Sequence, residues 1–367
     1  MEPRDAVEAF LKQIWAAVVG AGNFSIRDDF FTIGGNSLRA AVLCTRIGEA
    51  FGRHVPVSFV FDKTTIEHQA TFLRGESFLT VPESLVPIQR RGSRRPLFCV
   101  HPYFGLAHCY LELSRLLGPD QPFYGLQSYG LESGQMLLTT IPEMASFYLE
   151  SIRSIQPTGP YRLAGWSMGA LIAYEMAQQS VAAGQEIEFL GLLEGWARPF
   201  DALPSKNQRM DWNGWVLEEE QEYLIGLAEE LGISGSEFCA MTHDQRIARY
   251  LQEGKASEKI PSSVSQDQFC RLLRVIASNK VAIACYQTKP YPGRAILLRV
   301  PLVRGDEDET HGWAGLILGG LEVFEVPGTH DDLMSMPGVG RVAEILVSCM
   351  EADSDSVEVL HSVDVTA

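Results

Sequence analysis

A serine framed by two glycines, Gly165-Trp166-Ser167-Met168-Gly169, is the strongest chemical signal in the chain. A strand-like run, Tyr161–Ala164, precedes it, and a helix pattern over Ala170–Ala177 follows. A sharp strand-to-helix turn of this kind strains the backbone of its central residue and presents the hydroxyl at the end of a sheet, beside a helix N-terminus. The small flanking residues let neighbouring elements approach. A serine hydroxyl is a weak nucleophile at neutral pH, so it needs a base, and the base needs a group that orients it.

In an α/β-hydrolase arrangement the base comes last in chain order. Val326-Pro327-Gly328-Thr329-His330 sits there, after a strand pattern over Leu321–Val326, and points to His330. His54, His68, His101 and His108 precede the nucleophile; His243, His311 and His361 fall in an insertion, an acidic loop and the C-terminal segment. Two places can supply the orienting acid. Glu194 ends the strand after the nucleophile, in Leu192-Leu193-Glu194-Gly195, and Asp306 or Asp308 follows the next strand. The tetrahedral intermediate also needs backbone N–H donors. Met168, directly after the serine, should give one, and Tyr103, in the loop His101-Pro102-Tyr103-Phe104-Gly105 after the first strand, the other.

The elements that must position these groups are legible as texture. From Pro96 onward, apolar runs (97–100, 161–164, 189–193, 295–298, 321–326) alternate with helix patterns at Met144–Ile155 and Ala170–Ala183. Such alternation implies a parallel sheet with helices on both faces. A mostly helical stretch, about Pro204 to Lys280, interrupts it as an insertion. The first segment, about 5–75, reads as a small helical bundle: Val7, Phe10, Leu11, Ile14 and Val18 have helical spacing, and further helix patterns start near Ser37 and after Thr65. Between them and the sheet, Pro82, Pro87, Gly92 and the cluster Arg90, Arg91, Arg94 and Arg95 read as a linker with a solvated surface rather than an anion site. From Glu351 to Ala367 the chain is acidic, without Lys or Arg, and reads as a frayed tail.

Composition narrows the class. The 367 residues, 46% hydrophobic and 21% charged, are enough for two globular domains with sizeable cores. A formal charge of -16 disfavours binding to nucleic acid or to an anionic membrane, and no apolar run suits a membrane helix. Seven scattered cysteines without a C-x-x-C pair argue for reduced thiols in a cytoplasmic protein, against a disulfide framework or a zinc site.

A second motif lies in the helical first segment: Asp28-Asp29-Phe30-Phe31-Thr32-Ile33-Gly34-Gly35-Asn36-Ser37-Leu38, opening a helix. On bare chemistry Asn36 or Ser37 could simply cap that helix. The two glycines also permit close approach by another protein, and a helix N-terminus suits a phosphodiester on the serine.

Residues about 5–75 resemble a peptidyl carrier domain of nonribosomal peptide synthetases, whose signature D-x-F-F-x-x-G-G-x-S-L is matched throughout. The resemblance implies a four-helix bundle with 4′-phosphopantetheine carried on Ser37; Asn36 stands where such domains usually have His or Asp. Residues about 95–352 resemble the type I thioesterase domains that end these assembly lines, through Phe98-Cys99-Val100-His101-Pro102, Gly165-Trp166-Ser167-Met168-Gly169 and Gly328-Thr329-His330. That family implies an α/β-hydrolase fold with a helical lid at about 200–280, and it usually has Asp where this chain has Glu194. The match favours Glu194 as the acid, with Asp306 as the alternative.

On this resemblance the chain divides into a carrier domain (5–75), a linker (76–94), a thioesterase (95–352) and an acidic tail (353–367). It would accept an acyl or peptidyl thioester onto Ser167 and release it by hydrolysis, cyclisation or condensation, without a metal. The expected partners are a phosphopantetheinyl transferase and upstream adenylation and condensation domains, with the chain read either as a fragment of a larger synthetase or as a standalone release protein. The competing readings are a free-standing α/β-hydrolase esterase with an unrelated helical domain, and a docking module without turnover.

Overall fold

Apolar residues at helical spacing in the first segment do form helices: α1 (Ala6–Val19), α2 (Ser37–Phe51), α3 (Ser58–Asp62) and α4 (Ile66–Leu73). The Asp5 side chain caps α1 by accepting from Glu8 N, and Thr65 caps α4 by accepting from His68 N. A computed structural model describes the chain except residues 21–22, 52–54, 56–57, 75–81, 83, 132–134, 198–211, 234, 258, 261–263, 302–307 and 362–367. Two compact units emerge. One comprises Met1–Pro87, Tyr129–Leu137 and Arg209–Ser278, the other Ile88–Ser128, Leu138–Gln208 and Asn279–Ala367.

The first unit joins the N-terminal helices to most of the stretch read as an insertion. That stretch forms α8 (Trp212–Glu230), α9 (Gly235–Ala240), α10 (His243–Ala256) and α11 (Gln266–Cys285). Leu11, Trp15, Phe30 and Leu43 belong to one apolar core with Leu224, Phe238, Ile247 and Leu273. In α10 the buried residues Ile247, Tyr250, Leu251 and Gly254 recur at the spacing that makes one helix face. Inside the core Trp15 Nε1 donates to Gln69 Oε1 at 2.9 Å, and Gln69 Nε2 donates to the Lys63 carbonyl at 2.8 Å, so the buried amide is satisfied.

The chain forms a seven-stranded sheet, all of which but the first three residues belongs to the second unit. Its strands are β1 (Leu85–Gln89), β2 (Leu97–Val100), β3 (Phe123–Leu126), β4 (Tyr161–Trp166), β5 (Ile187–Leu193), β6 (Ala295–Arg299) and β7 (Leu321–Glu325), in the order β1-β3-β2-β4-β5-β6-β7. The pairs β2–β3, β2–β4, β4–β5, β5–β6 and β6–β7 are parallel. The helices of this unit include α5 (Leu111–Leu116), α6 (Ile141–Arg153), α7 (Met168–Ala182) and α12 (Gly338–His361). Chain order reverses beside β2, with β3 on one side and β4 on the other. In open parallel sheets ligands bind at such a reversal, outside the carboxyl ends of the strands.

Two departures from the sequence reading follow. Residues 85–89, inside the segment read as a linker, form the edge strand β1; Pro87, which lacks a backbone donor, hides a strand from sequence patterning and is tolerated at an edge. The segment read as a frayed tail is helical as far as His361, while 362–367 lie outside the described residues. The arginine cluster behaves as a solvated surface: Arg94 pairs with Asp120 and Glu351, and Arg95 with Glu188.

Candidate active site

Ser167 lies between the end of β4 and the first residue of α7, with φ 57° and ψ -121°. A positive φ at a residue with a side chain costs on the order of 1–2 kcal/mol and persists only where the surroundings impose it. Here Ser167 N donates to the Leu193 carbonyl at 2.8 Å, and the Ser167 carbonyl accepts from Ala170 N at 3.0 Å. The flanking glycines are steric necessities: a Cβ on Gly165 would lie 2.1 Å from the Gly169 carbonyl oxygen, and one on Gly169 would lie 2.2 Å from that of Val100. Tyr110 OH ties the two strand ends together, accepting from Trp166 N at 2.9 Å and donating to the Val100 carbonyl at 2.5 Å.

Glu194 directly follows β5, the strand next to β4, and it too has a positive φ, 48°. It is buried. Its Oε2 accepts from Val300 N at 2.6 Å and its own N–H donates to the Leu298 carbonyl at 2.6 Å, so the end of β6 grips it twice. Oε1 is 3.9 Å from Nδ1 of His330, which follows β7 in the loop after Val326. The half-exposed His330 ring lies 5.6 Å from the indole of Trp166, the residue before Ser167. The structure therefore brings Glu194 and His330 together and sets the Ser167 turn beside them. Among the described residues Ser167 Oγ makes no hydrogen bond to His330. Such contacts are often long in an empty site and tighten around substrate.

Asp308 does not compete. Asp308 Oδ1 accepts from Thr310 N and Oγ1, and Oδ2 from Gly312 N; these bonds hold its carboxyl below the usual range and make it the cap of a turn. Asp306 lies outside the described residues.

The loop after β2 holds two histidines that burial keeps neutral. The carbonyl of Pro102 can only accept, so His101 donates to it from Nδ1 at 2.8 Å and accepts from Tyr148 OH at Nε2, 2.7 Å away. Fully buried, His101 is pushed down to about 4, and burial does the same to His108. Gly105 N donates to the Pro102 carbonyl at 2.8 Å, closing the turn that carries Tyr103, and Asn279 Nδ2 donates to the Tyr103 carbonyl at 2.8 Å. Met168 opens α7, where the first backbone N–H groups have no intrahelical partner.

In the helical unit, Asn36 Oδ1 accepts from Arg39 N at 2.9 Å, so Asn36 caps α2 and Ser37 is its first residue. That leaves capping to Asn36 and answers the ambiguity of the sequence. Gly35 N donates to the Phe30 carbonyl, and a Cβ on Gly35 would fall 2.3 Å from the Phe30 ring, so the turn before Ser37 requires glycine.

Sequence reasoning missed Tyr110 and Asn279. Each acts across a long sequence separation, and a lone Tyr or Asn carries no local signature.

Comparison with known families resolves the assignment. The model of the thioesterase domain matches residues 95–348, and that of the phosphopantetheine attachment site matches residues 9–73. The chain belongs to the thioesterase family. Among relatives of this thioesterase, a dimodular nonribosomal peptide synthase of Bacillus subtilis (strain 168) is 30% identical over 353 residues, 95% of this chain and 14% of that protein. Atromentin synthetase greA of Suillus grevillei is 26% identical over 369 residues, covering 95% and 37%. This thioesterase chain thus spans a minor part of the relatives it matches. Among solved structures, a four-domain holo nonribosomal peptide synthetase bound to AMP and glycine matches 94% of this chain and 26% of its own, at 28% identity and a TM-score of 0.65. The NocB thioesterase domain, in covalent complex with a fluorophosphonate nocardicin G analogue, matches 71% of this chain and 96% of its own, at 28% identity and a TM-score of 0.52. The protein is a carrier region followed by an α/β-hydrolase thioesterase, and among its described residues no helix is long and apolar enough to cross a membrane.

Proposed function

We propose that the chain is the terminal carrier–thioesterase pair of a nonribosomal peptide synthetase, with a carrier over 5–75, a connecting segment over 76–94 that includes the edge strand β1, a thioesterase over 95–352 and an acidic end beyond it. The observation that carries this reading is the joint placement of Ser167, Glu194 and His330 beyond the carboxyl ends of the parallel strands β4, β5 and β7, with Ser167 in a forced positive φ.

Ser37 is the attachment point for 4′-phosphopantetheine: it opens α2, capping is already met by Asn36, and the helix N-terminus suits a phosphate. The group supplies a thiol that carries the acyl or peptidyl chain as a thioester. At Ser167, Oγ attacks the thioester carbonyl while His330 takes its proton. His330 Nδ1 faces Glu194, which leaves Nε2 for the serine. The Met168 and Tyr103 amides stabilise the oxyanion. On collapse His330 returns the proton to the departing sulfur, and Ser167 Oγ keeps the acyl group as an ester. His330 then removes a proton from the acceptor, either water or an internal amine or hydroxyl, and the ester is released as acid or ring. A carbon acceptor gives condensation by the same relay.

The partners that follow are a phosphopantetheinyl transferase and upstream adenylation and condensation domains, in the cytoplasm. Time-resolved intact-protein mass tests the scheme after loading with a broad-specificity phosphopantetheinyl transferase and an acyl-CoA. An acyl-arm mass that needs Ser37, decays in the unaltered chain and persists in Ser167→Ala is the expected result. Absence of any arm would leave an esterase with an unrelated helical domain; an arm that loads and never discharges would leave a docking module.

A further inference from the structure

The three residues after Glu194 are gripped by a part of the chain with no place in the relay described above. Trp313 Nε1 donates to the Gly195 carbonyl at 2.8 Å. The His311 imidazole lies flat on the Trp196 indole, with ring centroids 3.8 Å apart and planes 7° apart. Ala197 N donates to the His311 carbonyl at 2.9 Å. One turn, 308–313, therefore holds residues 195, 196 and 197 in succession.

That turn is itself rigid. Asp308 fastens Thr310 and Gly312 through both carboxylate oxygens, and Trp313 N donates to the Thr310 carbonyl at 2.9 Å. His311 and Trp313 are fully buried, and the Trp313 ring packs 4.7 Å from that of Tyr174 on α7. Both Glu194 and His311 adopt positive φ, 48° and 51°, a conformation that survives at residues with side chains only where neighbours over-determine it. Gly195 adds a steric limit, since a Cβ there would meet Ala170 Cβ at 2.2 Å and the Ser167 carbonyl oxygen at 3.1 Å. The acid is thus clamped between the end of β6, which binds its carboxylate and amide, and a second element that binds the backbone directly after it.

Building on the reading of Glu194 as the orienting acid, we propose that His311 and Trp313 are positioning residues that fix the Glu194 carboxylate against His330. Neither touches the acyl group. His311 is not a second base, because its face is covered by Trp196 and it is shut off from solvent. Burial also holds it below its ordinary value, offset in part by the Glu194 carboxylate and the Gly195 carbonyl. The charged groups around it are Glu194, Arg299 and Asp308. Movement of the clamp swings the carboxylate away from the imidazole and weakens the support of the imidazolium that forms in each half-reaction.

The test compares Trp313→Phe, His311→Ala, His311→Phe and Glu194→Gln in the full chain. Competent sites are counted by fluorophosphonate labelling run to completion, and turnover of an acyl N-acetylcysteamine thioester is expressed per labelled site. Trp313→Phe and His311→Ala should lower kcat by about tenfold or more at unchanged KM. His311→Phe keeps a flat ring on Trp196 and should restore most of the loss. Wild-type kcat per labelled site overturns the proposal, even where fewer sites can be labelled, since that pattern is a merely structural role, and so does a loss of kcat that His311→Phe does not restore. Should His311→Ala fail to fold, Trp313→Phe decides alone. A silent Glu194→Gln would refute the acid reading and the clamp with it, whereas a deficient Glu194→Gln beside unaffected clamp variants would refute only the clamp.

Discussion

His330 Nδ1 stands 3.9 Å from Glu194 Oε1, while the other oxygen of the same carboxylate accepts from Val300 N at 2.6 Å. One oxygen is spent on anchoring and the other is left for the histidine. A glutamate can bridge in this way because its extra methylene reaches from the strand end to both neighbours.

Glu194→Gln should lower kcat by about 10²–10⁴-fold with a small change in KM, since an uncharged amide cannot stabilise the imidazolium. Glu194→Asp retracts the carboxylate by one carbon and should cost about tenfold or more, because the gap to Nδ1 already exceeds hydrogen-bond length. Steady-state kinetics on a simple acyl thioester checks both, and an aspartate variant as active as wild type would show that reach is not what places the acid.

Asn279 bears on the opposite wall. Its amide holds the Tyr103 carbonyl, one peptide beyond the Tyr103 N–H proposed to face the oxyanion, and so fixes the loop directly after that donor. Asn279→Ala should lower kcat by about 10–10²-fold with KM nearly constant, below the full loss of an oxyanion donor because the loop keeps its Gly105–Pro102 bond. Equal losses in kcat and in the number of fluorophosphonate-labelled sites would mean simple misfolding.

In the helical unit the roles of adjacent residues should separate. Asn36→Ala removes the α2 cap and should lower stability by about 1 kcal/mol, read as a lower denaturation midpoint, yet still accept the phosphopantetheine arm. Ser37→Ala should leave stability close to wild type and abolish modification. Loss of the arm in Asn36→Ala, measured by intact mass under full loading, would assign Asn36 a part in recognition by the transferase.

His101 and His108 set a pH limit. Both are pushed down to about 4 by burial, against 6.5 in the unfolded chain. The unfolded state therefore binds protons first as pH falls, so these groups cost nothing above pH 6.5 and destabilise the fold progressively between 6.5 and 4. Each should contribute a slope of about 1.4 kcal/mol per pH unit in that window. Urea unfolding at several pH values checks this, with His101→Gln expected to reduce the slope by one histidine.

Much of this was legible in one dimension. The G-W-S-M-G turn between a strand and a helix is a local device, and so is the D-D-F-F-T-I-G-G-N-S-L segment; their conformations depend on residues a few positions away. β1 was hidden because Pro87 breaks the pattern of a strand, and β3 because Gly125 interrupts the apolar run Phe123–Leu126. The helices of the insertion were visible as helices. That they share a core with the N-terminal bundle was not, because apolar faces show that a helix is buried and not which helix covers it.

By itself the sequence determined the two serines, the order of the domains, the class of the sheet and the short list of bases and acids, all of which follow from residue types at short spacing. Only the tertiary structure decided that Glu194 rather than Asp308 faces His330, that Asn36 rather than Ser37 caps α2, and that His311 and Trp313 grip residues 195–197. Those choices depend on distances between residues more than a hundred positions apart, or on which of two neighbouring side chains reaches an amide. Both are set by the register of parallel strands and the packing of the core, which no local pattern encodes.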